Sequence, residues 1–361
     1  MNAVADPVGA MDQSNEIADH VAQAFAAKTP LAIRAGDTKS FLGEIGRGEI
    51  LDVAGHSGII SYEPGELVLT ARAGTPLTEI ETTLAEAGQQ LAFEPPHYGQ
   101  GATLGGVIAA GVSGPARPFN GAARDFVLGT RIVNGRGECL RFGGEVMKNV
   151  AGYDVSRLLA GSFGTLGVLL DVSLKVLPAA HHQATRVFEH SAETALDAFK
   201  RWRLRPWPIT GAYWENGLTY LRLSGAETAV RSACEQLGGQ SLAMDYRNFW
   251  TEVREQTRPL FTQDERPLWR LSLPPAAPLL DNAGPNAIDW GGAQRWLLSD
   301  EPAATIRQRV AAQDGHASVY RGHTTPRFHP LSKSLLALHQ RLKASMDPAG
   351  ILNPGRLYPE L

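Results

Sequence analysis

The sequence has little cysteine and no surplus of positive charge. Cys139 and Cys234 are the two cysteines of the 361 residues, and they form neither a CxxC pair nor a zinc pattern. Lys and Arg together number 34 against 37 Asp and Glu, so nothing in the composition is suited to neutralising a phosphate backbone. A bound metal and a nucleic-acid partner are therefore not expected, and a reducing compartment such as the cytoplasm is.

Long apolar runs are also missing. Asp6, Asp12 and Glu16 precede any apolar stretch, which is unlike a secretory signal, and no 18-residue membrane span occurs. We expect a cytoplasmic protein whose association with a membrane is at most peripheral.

The familiar nucleotide-binding fingerprints are absent as well. No GxGxxG follows a strand and no GxxxxGK[ST] occurs, which argues against a Rossmann site and a P-loop. Three glycine-rich segments remain, at 34–39, at 101–114 and at 161–167. Glycine lets consecutive backbone N–H groups converge on an anion, and Thr103 can begin a helix that adds its positive end. One such cluster is usually an ordinary turn, so the order of the three carries the prediction.

At 361 residues the chain is longer than one core normally supports, which predicts two lobes. Before Pro178 the sequence predicts a strand, a helix begun by Thr75-Pro76, a strand from Leu91, a hairpin and a half-buried strand at 168–176. The tryptophans are concentrated after it, between Trp202 and Trp296. There, strands and helices ending with a strand at 241–246 follow the β-α-β-β-α-β order of a ferredoxin-like domain. No repeat is evident.

These segments resemble the PCMH-type FAD-binding domain of the vanillyl-alcohol-oxidase family. In that family FAD is surrounded by an early Arg-x-Gly-x-Thr loop, a central Thr-x-Gly-Gly segment and a later Gly-Ser-x-Gly-Thr-Leu-Gly run. The same three motifs occur in the same order within residues 28–178 of this sequence. The resemblance implies an α+β fold with a two-part FAD-binding domain at 1–180, a cap domain at 181–335, and a C-terminal segment at 336–361 that returns to the first domain. It also implies that FAD is contacted by the following residues: Arg34, Gly36, Thr38, Lys39, Thr103, Gly105, Gly106, Ser113, Gly114, Asp125, Ser162, Gly164 and Gly167.

Within this family, the segments 147–154 and 355–358 resemble the FAD-binding subunits of glycolate oxidase complexes. That resemblance implies oxidation of a small 2-hydroxy acid, with a sibling FAD-linked subunit and an iron–sulfur subunit as partners. The flavin is expected to be noncovalent, because covalent members use His or Cys and the 34–39 loop has neither.

Two departures bear on catalysis. The family commonly has Glu where Phe163 stands, and the His-rich cap segment of the catalytic siblings is not found. Arg321 and His323 are the remaining candidates for a carboxylate clamp and a base. A surface salt bridge and a surface histidine are the alternatives for them. Lys148 and Tyr153 are candidates to approach the flavin ring. A self-sufficient 2-hydroxy acid dehydrogenase and a non-redox assembly subunit with a degenerate FAD site both stay open.

Overall fold

A computed structural model describes residues 11–144, 154–242, 246–281 and 284–361. The predictions for Lys148 and Tyr153 lie outside these residues. The chain divides into two units. The first unit comprises Met1–Val112, Ala122–Ala179 and Pro330–Leu361, and the second comprises Ser113–Gly121 and Ala180–His329. The sequence-based boundaries at 180 and 335 did not anticipate that the short segment 113–121, which we call the strap, belongs to the second unit.

The helices and strands of the described residues are, in chain order, α1 (Ser14–Ala27), β1 (Leu31–Arg34), β2 (Glu49–Asp52), β3 (Ile59–Glu63), β4 (Val68–Arg72), α2 (Leu77–Glu86), β5 (Gln89–Gln90), α3 (Leu104–Ala110), α4 (Arg117–Asn120), α5 (Ala123–Phe126), β6 (Val127–Val133), β7 (Cys139–Gly143), α6 (Val155–Leu159), β8 (Val168–Lys175), β9 (Leu177–Pro178), β10 (His182–Glu189), α7 (Ala192–Trp202), β11 (Ile209–Glu215), β12 (Leu218–Gly225), α8 (Glu227–Leu237), β13 (Gln240–Ser241), α9 (Tyr246–Glu255), α10 (Pro259–Thr262), β14 (Leu268–Ser272), β15 (Asn286–Asp289), β16 (Gln294–Leu298), α11 (Ala303–Ala311), β17 (His316–Arg321) and α12 (Lys333–Met346).

The first unit is built on a five-stranded antiparallel sheet in the order β3-β4-β8-β6-β7, beside the parallel pair β1-β2. The central strand β8 is buried on both faces, whereas its alternating sequence predicted one buried face. Val168 and Leu170 pack with Ile17 and Val21 of α1 on one face. On the other face Asp171 is buried because Arg131 Nε donates to its carboxylate over 2.5 Å. The polar half of the alternation is therefore paired inside the protein and is not solvated.

The C-terminal tail returns to the first unit, next to β1. The Leu31 N–H donates to Ile351 O over 2.7 Å, and the Asn353 N–H donates to Leu31 O over 2.9 Å. The tail is fixed by Lys343, which is 6% exposed and donates to Thr165 O, Leu352 O and the Asp347 carboxylate over 2.6 to 2.8 Å. This ammonium group thus joins the end of α12, the tail and the loop before β8.

The second unit has an eight-stranded sheet in the order β13-β10-β12-β11-β15-β16-β14-β17. Its first four strands have the 4-1-3-2 order of the predicted ferredoxin-like pattern. Numbered 1 to 4 along the chain, β14 to β17 lie in the sheet in the order 2-3-1-4, which is the mirror image of the order of the first four. The unit therefore contains two halves with the same strand arrangement, and they meet at β11 and β15. In the second half, the described residues 273–281 and 284–285 form no helix where the first half has α7, and prolines 274, 275, 278 and 285 lack the N–H groups that a helix needs.

Three local predictions were wrong. Pro76, not Thr75, is the residue before α2, because the Thr75 hydroxyl is engaged with the backbone of Gly58. The strand expected from Leu91 is the two-residue β5, which ends at Gln90. The last predicted strand of the ferredoxin-like pattern is shortened to Gln240–Ser241, and helix α9 already begins at Tyr246.

Candidate functional site

The first unit contains a cleft of about 800 Å³, counted to its open mouth. It is formed by the loop after β1, the start of α3, the loop before β8 and the tail. Nine of the predicted FAD contacts line it: Arg34, Gly36, Thr38, Lys39, Thr103, Gly105, Gly106, Gly164 and Gly167. The structure therefore brings together residues from all three glycine-rich segments.

The loop after β1 approaches the backbone of residue 101 very closely. A Cβ atom on Gly36 would lie 1.6 Å from Gly101 O, so only glycine fits there. The next residue, Asp37, has a φ of 54°, in the left-handed region. Among the described residues, no protein group accepts a hydrogen bond from the N–H groups of Gly36, Asp37 or Thr38. A left-handed turn with successive amides of this kind is suited to binding an anion.

Two cations accompany these amides. Lys39 is 7% exposed, and its Nζ donates to Thr38 Oγ1 and to His97 O, each over 3.1 Å. Arg34 is exposed and also lines the cleft, as does one carboxylate, Asp37. These two contacts hold the buried ammonium group beside the N–H groups of the loop.

Helix α3 contributes differently from the expectation. The first three N–H groups of this helix, from Leu104, Gly105 and Gly106, donate to Thr75 O, Ala73 O and Thr103 Oγ1. These N–H groups therefore have acceptors within the protein, and Gly105 is needed for the close approach of α3 to Ala73. A Cβ on Gly105 would lie 2.7 Å from the Ala73 Cβ.

Gly106 has more room than Gly105. A Cβ on Gly106 would meet only Thr103 Oγ1, at 3.1 Å. Because Gly106 also lines the cleft, a side chain there would point into space that a ligand needs.

The tail supplies two residues that were not nominated from the sequence. The Asn353 amide accepts from Ile33 N over 2.8 Å and donates to Phe163 O over 2.7 Å, so it ties β1 to the loop before β8. Arg356 donates to Ser40 O over 3.0 Å and to Glu44 O, and so fixes the end of the loop after β1. The sequence predicted that this C-terminal segment returns to the first domain, but neither residue was assigned to the site.

Three residues with strained backbone conformations line this cleft. Asp37, Phe163 and Asn353 line it and have φ values of 54°, 53° and 43°, which side chains other than glycine rarely adopt. Such conformations persist where the surroundings hold them and are common at functional sites. Phe163, which stands where the family often has Glu, is therefore a wall of the cleft.

The four other residues that were predicted to contact FAD are not among the residues that line this cleft. Ser113 and Gly114 belong to the strap of the second unit, where Gly114 O accepts from Trp290 Nε1 over 3.1 Å. The Asp125 carboxylate accepts from Ala122 N over 2.8 Å at the start of α5. The Ser162 hydroxyl is buried and donates to Leu159 O over 2.8 Å.

In the second unit, Arg321 ends β17 and His323 is exposed in the loop after it. A second arginine–histidine pair lies on the same sheet and consists of Arg270 of β14 and His316 of β17. Arg270 Nε donates over 2.7 Å to the Gln294 amide, which in turn donates to the buried Asp289 over 3.2 Å. Its guanidinium lies 5.0 Å from the centre of the Trp290 ring, and among the described residues it has no carboxylate partner. Partial burial and the positive charges of Arg270 and His329 lower the pKa of His316.

Within the described part of the chain, no three or more His, Cys, Asp or Glu side chains converge as they would around a metal ion. None of the helices described is both long enough and apolar enough to cross a membrane.

Known proteins that are similar to this chain indicate its family. Residues 6–143 match the family model described as FAD binding domain. The glycolate oxidase subunit GlcE of Escherichia coli is 49% identical over 97% of this chain and 99% of its own length. The glycolate oxidase subunit GlcD of Bacillus subtilis is 39% identical, but over 23% of this chain and 18% of its own length.

A solved structure of alkyldihydroxyacetonephosphate synthase matches with a TM-score of 0.64 and 14% identity. It covers 94% of this chain and 75% of that one, which shows a shared fold. The identity to the E. coli subunit extends over nearly the whole of both chains. The chain therefore belongs to the family of the glycolate oxidase subunit GlcE, among the flavoproteins that carry this FAD binding domain.

Proposed function

We propose that the chain is the FAD-binding subunit of a glycolate oxidase complex. In this complex glycolate, a small 2-hydroxy acid, is oxidised to glyoxylate, and the electrons pass to a sibling FAD-linked subunit and an iron–sulfur subunit. The observation that carries the proposal is the cleft of the first unit, together with the 49% identity to the E. coli subunit over 97% of the chain.

The residues of the cleft fit FAD. The unpaired N–H groups of Gly36, Asp37 and Thr38, with Lys39 beside them, are suited to the diphosphate. Apolar walls for the ring systems come from Ile33, Val53, Ala73, Ala109, Ala110 and Leu169. When bound, FAD supplies a two-electron acceptor, and the protein positions it and excludes water.

The flavin is held without a covalent bond in this proposal. Neither His nor Cys is among the residues that line the cleft in the described part of the chain. Acid precipitation of the purified chain should release all of the yellow colour into the supernatant, and colour retained in the pellet would contradict this.

The chain alone should bind FAD and oxidise glycolate slowly. A working site needs a cation for the carboxylate and a base for the hydroxyl proton, and loss of a positioned base typically costs about 10²- to 10⁴-fold in rate. Purified chain should therefore show one flavin per protein by visible absorbance but little glycolate-dependent dye reduction. Coexpression with the partner subunits should restore turnover. A chain without flavin absorbance would instead support the assembly-subunit alternative.

A self-sufficient dehydrogenase is favoured by one observation, the pair Arg270 and His316. The guanidinium of Arg270 can clamp a carboxylate, and His316 with its lowered pKa is neutral at neutral pH, as a base must be. If the isolated chain oxidises glycolate as fast as the complex, Arg270→Gln should raise KM at least about tenfold. Arg321→Gln tests the sequence-based pair in the same way. Arg266→Gln, which removes an exposed arginine paired with Asp264, is the control.

A further inference from the structure

The second unit contains a cavity that shares no lining residue with the cleft of the first unit. Its volume is about 620 Å³, counted to its open mouth. Helix α7 lines it with Phe199 and Trp202, and the strap lines it with Pro118 and Phe119. We call this space the strap cavity.

The strap cavity exists because small residues stand where large ones would fill it. Ala212, Gly291 and Ala293 all line it. A Cβ on Gly291 would meet only the Ala212 Cβ, at 3.9 Å, although Ala212 itself is 2% exposed. Protein interiors are normally packed as densely as organic crystals, so an apolar space of this size bordered by small residues indicates a ligand.

The walls are held in place without a ligand. Trp290, which is 5% exposed and lines the cavity, donates from Nε1 to Gly114 O of the strap over 3.1 Å. The guanidinium of Arg117, also in the strap, lies 4.3 Å from the centre of the Trp290 ring. Contacts that fix the strap in advance reduce the entropy that a ligand would lose on binding.

The lining selects the chemistry of the occupant. Four aromatic side chains, Phe119, Phe199, Trp202 and Trp290, offer ring faces and edges to a flat apolar body. The lining contains no Asp or Glu, and its single charged side chain is Arg203, at the end of α7. Arg203 is exposed and has no ion-pair partner among the described residues. A guanidinium of this kind binds a carboxylate in a bidentate manner.

We propose that the strap cavity binds a small aromatic carboxylate, with its ring between the strap and α7 and its carboxylate on Arg203. Glycolate does not fit this description, because it has no apolar body to fill the space. A cation does not fit either, since no acidic group faces the cavity.

Benzoate and its neutral counterpart benzyl alcohol test the proposal on the purified full-length chain. Trp202 and Trp290 line the cavity, so saturable quenching of tryptophan fluorescence, checked by calorimetry, reports binding. Benzoate should bind more tightly than benzyl alcohol. Arg203→Gln should weaken benzoate about tenfold or more and leave benzyl alcohol unchanged. Arg205→Gln, an exposed arginine outside the lining, is the matched control.

A filling variant tests the location. Ala293→Leu should reduce the affinity for both probes at least about tenfold, because the added atoms occupy the ring position. Ala311→Leu on the exposed side of α11 is its control, and Ala212→Leu is a second filling variant. Circular dichroism and unchanged flavin content establish that each variant is folded. Absence of saturable benzoate binding, equal binding by folded Ala293→Leu, or tighter binding of benzyl alcohol than of benzoate would each overturn the proposal.

Discussion

The two units form their binding spaces from different materials. In the first unit the cleft is made of backbone: glycines that permit close approach, residues with positive φ, and N–H groups in an exposed turn. In the second unit the strap cavity is made of side chains, and all seven tryptophans lie in that unit. A backbone site tolerates little substitution at its glycines, whereas a site made of side chains can be reshaped one residue at a time.

The largest effect is expected from a substitution in the cleft of the first unit. Gly106→Asp places a negative side chain in the cleft, where the diphosphate of the proposed FAD would bind, and should abolish flavin binding while the chain remains folded. Gly65→Asp, in the turn before β4 where an added Cβ meets nothing within 4 Å, is the control and should retain full flavin. Visible absorbance per protein is the measurement. Stoichiometric flavin in Gly106→Asp would show that the ligand lies elsewhere.

The next effect is on the stability of the first unit. Lys343→Met keeps the volume of the side chain but removes the positive charge beside the buried Asp347 carboxylate and the donor to two carbonyl groups. The carboxylate keeps the N–H groups of Ile351 and Leu352 as donors but loses its counter-ion. Breaking a buried ion pair in this way costs about 3–5 kcal/mol in the free energy of unfolding. Lys333→Met, exposed in the first turn of the same helix, should change it little. Denaturant unfolding monitored by flavin release measures both, and equal midpoints would refute the assignment.

A smaller effect is expected at a helix start in the second unit. The Ser191 hydroxyl accepts from Thr194 N over 3.3 Å at the start of α7, which also forms a wall of the strap cavity. Ser191→Ala should cost about 1 kcal/mol. Ser332→Ala makes the same change at α12 of the first unit. Native-state hydrogen exchange should show a loss confined to the unit that carries each substitution, and a shared loss would mean that the units unfold together.

The smallest expected difference between the two units is in how their stability depends on pH. Burial and the charge of Arg307 lower the pKa of His329 from its ordinary value of 6.5, and its Nδ1 accepts from Ala317 N, which requires a neutral ring. The stability it contributes is therefore present above about pH 6.5 and lost as the pH falls through the lowered value. In the first unit, hydrogen bonds from His56 and Arg131 hold the pKa of Asp171 below 3.8 despite its burial. The contribution of Asp171 is lost only in stronger acid.

Hydrogen exchange as a function of pH should thus show β17 of the second unit weakening before β8 of the first. His329→Gln, which can keep an acceptor for the Ala317 N–H, should reduce this difference. An unchanged pH profile in that variant would remove His329 as its cause.

The sequence predicted the cleft better than it predicted the second unit. Glycine positions and the Arg-x-Gly-x-Thr loop are local signals, and nine residues nominated from them line one cleft. Asn353 was missed because its role depends on hydrogen bonds to Ile33 and Phe163, which are far away in sequence. The assignment of the strap to the second unit could not be predicted for a similar reason, since its contact with Trp290 is tertiary. The sequence did not indicate the two halves of the second unit, because the second half has a proline-rich segment where the first has a helix.

The line where those halves meet has a mechanical consequence. β11 and β15 are joined by two residue pairs, Trp214 with Ile288 and Glu215 with Ala287, whereas β10 and β12 share eight. Arg258, from the segment that connects the two halves, donates to the buried Glu215 of β11 over 2.6 Å. A chain cut between Thr262 and Leu268 keeps this ion pair within its N-terminal fragment, so the two halves then share in the sheet the two residue pairs of β11 and β15. We expect such a cut to loosen this seam before the longer pairing of β10 with β12.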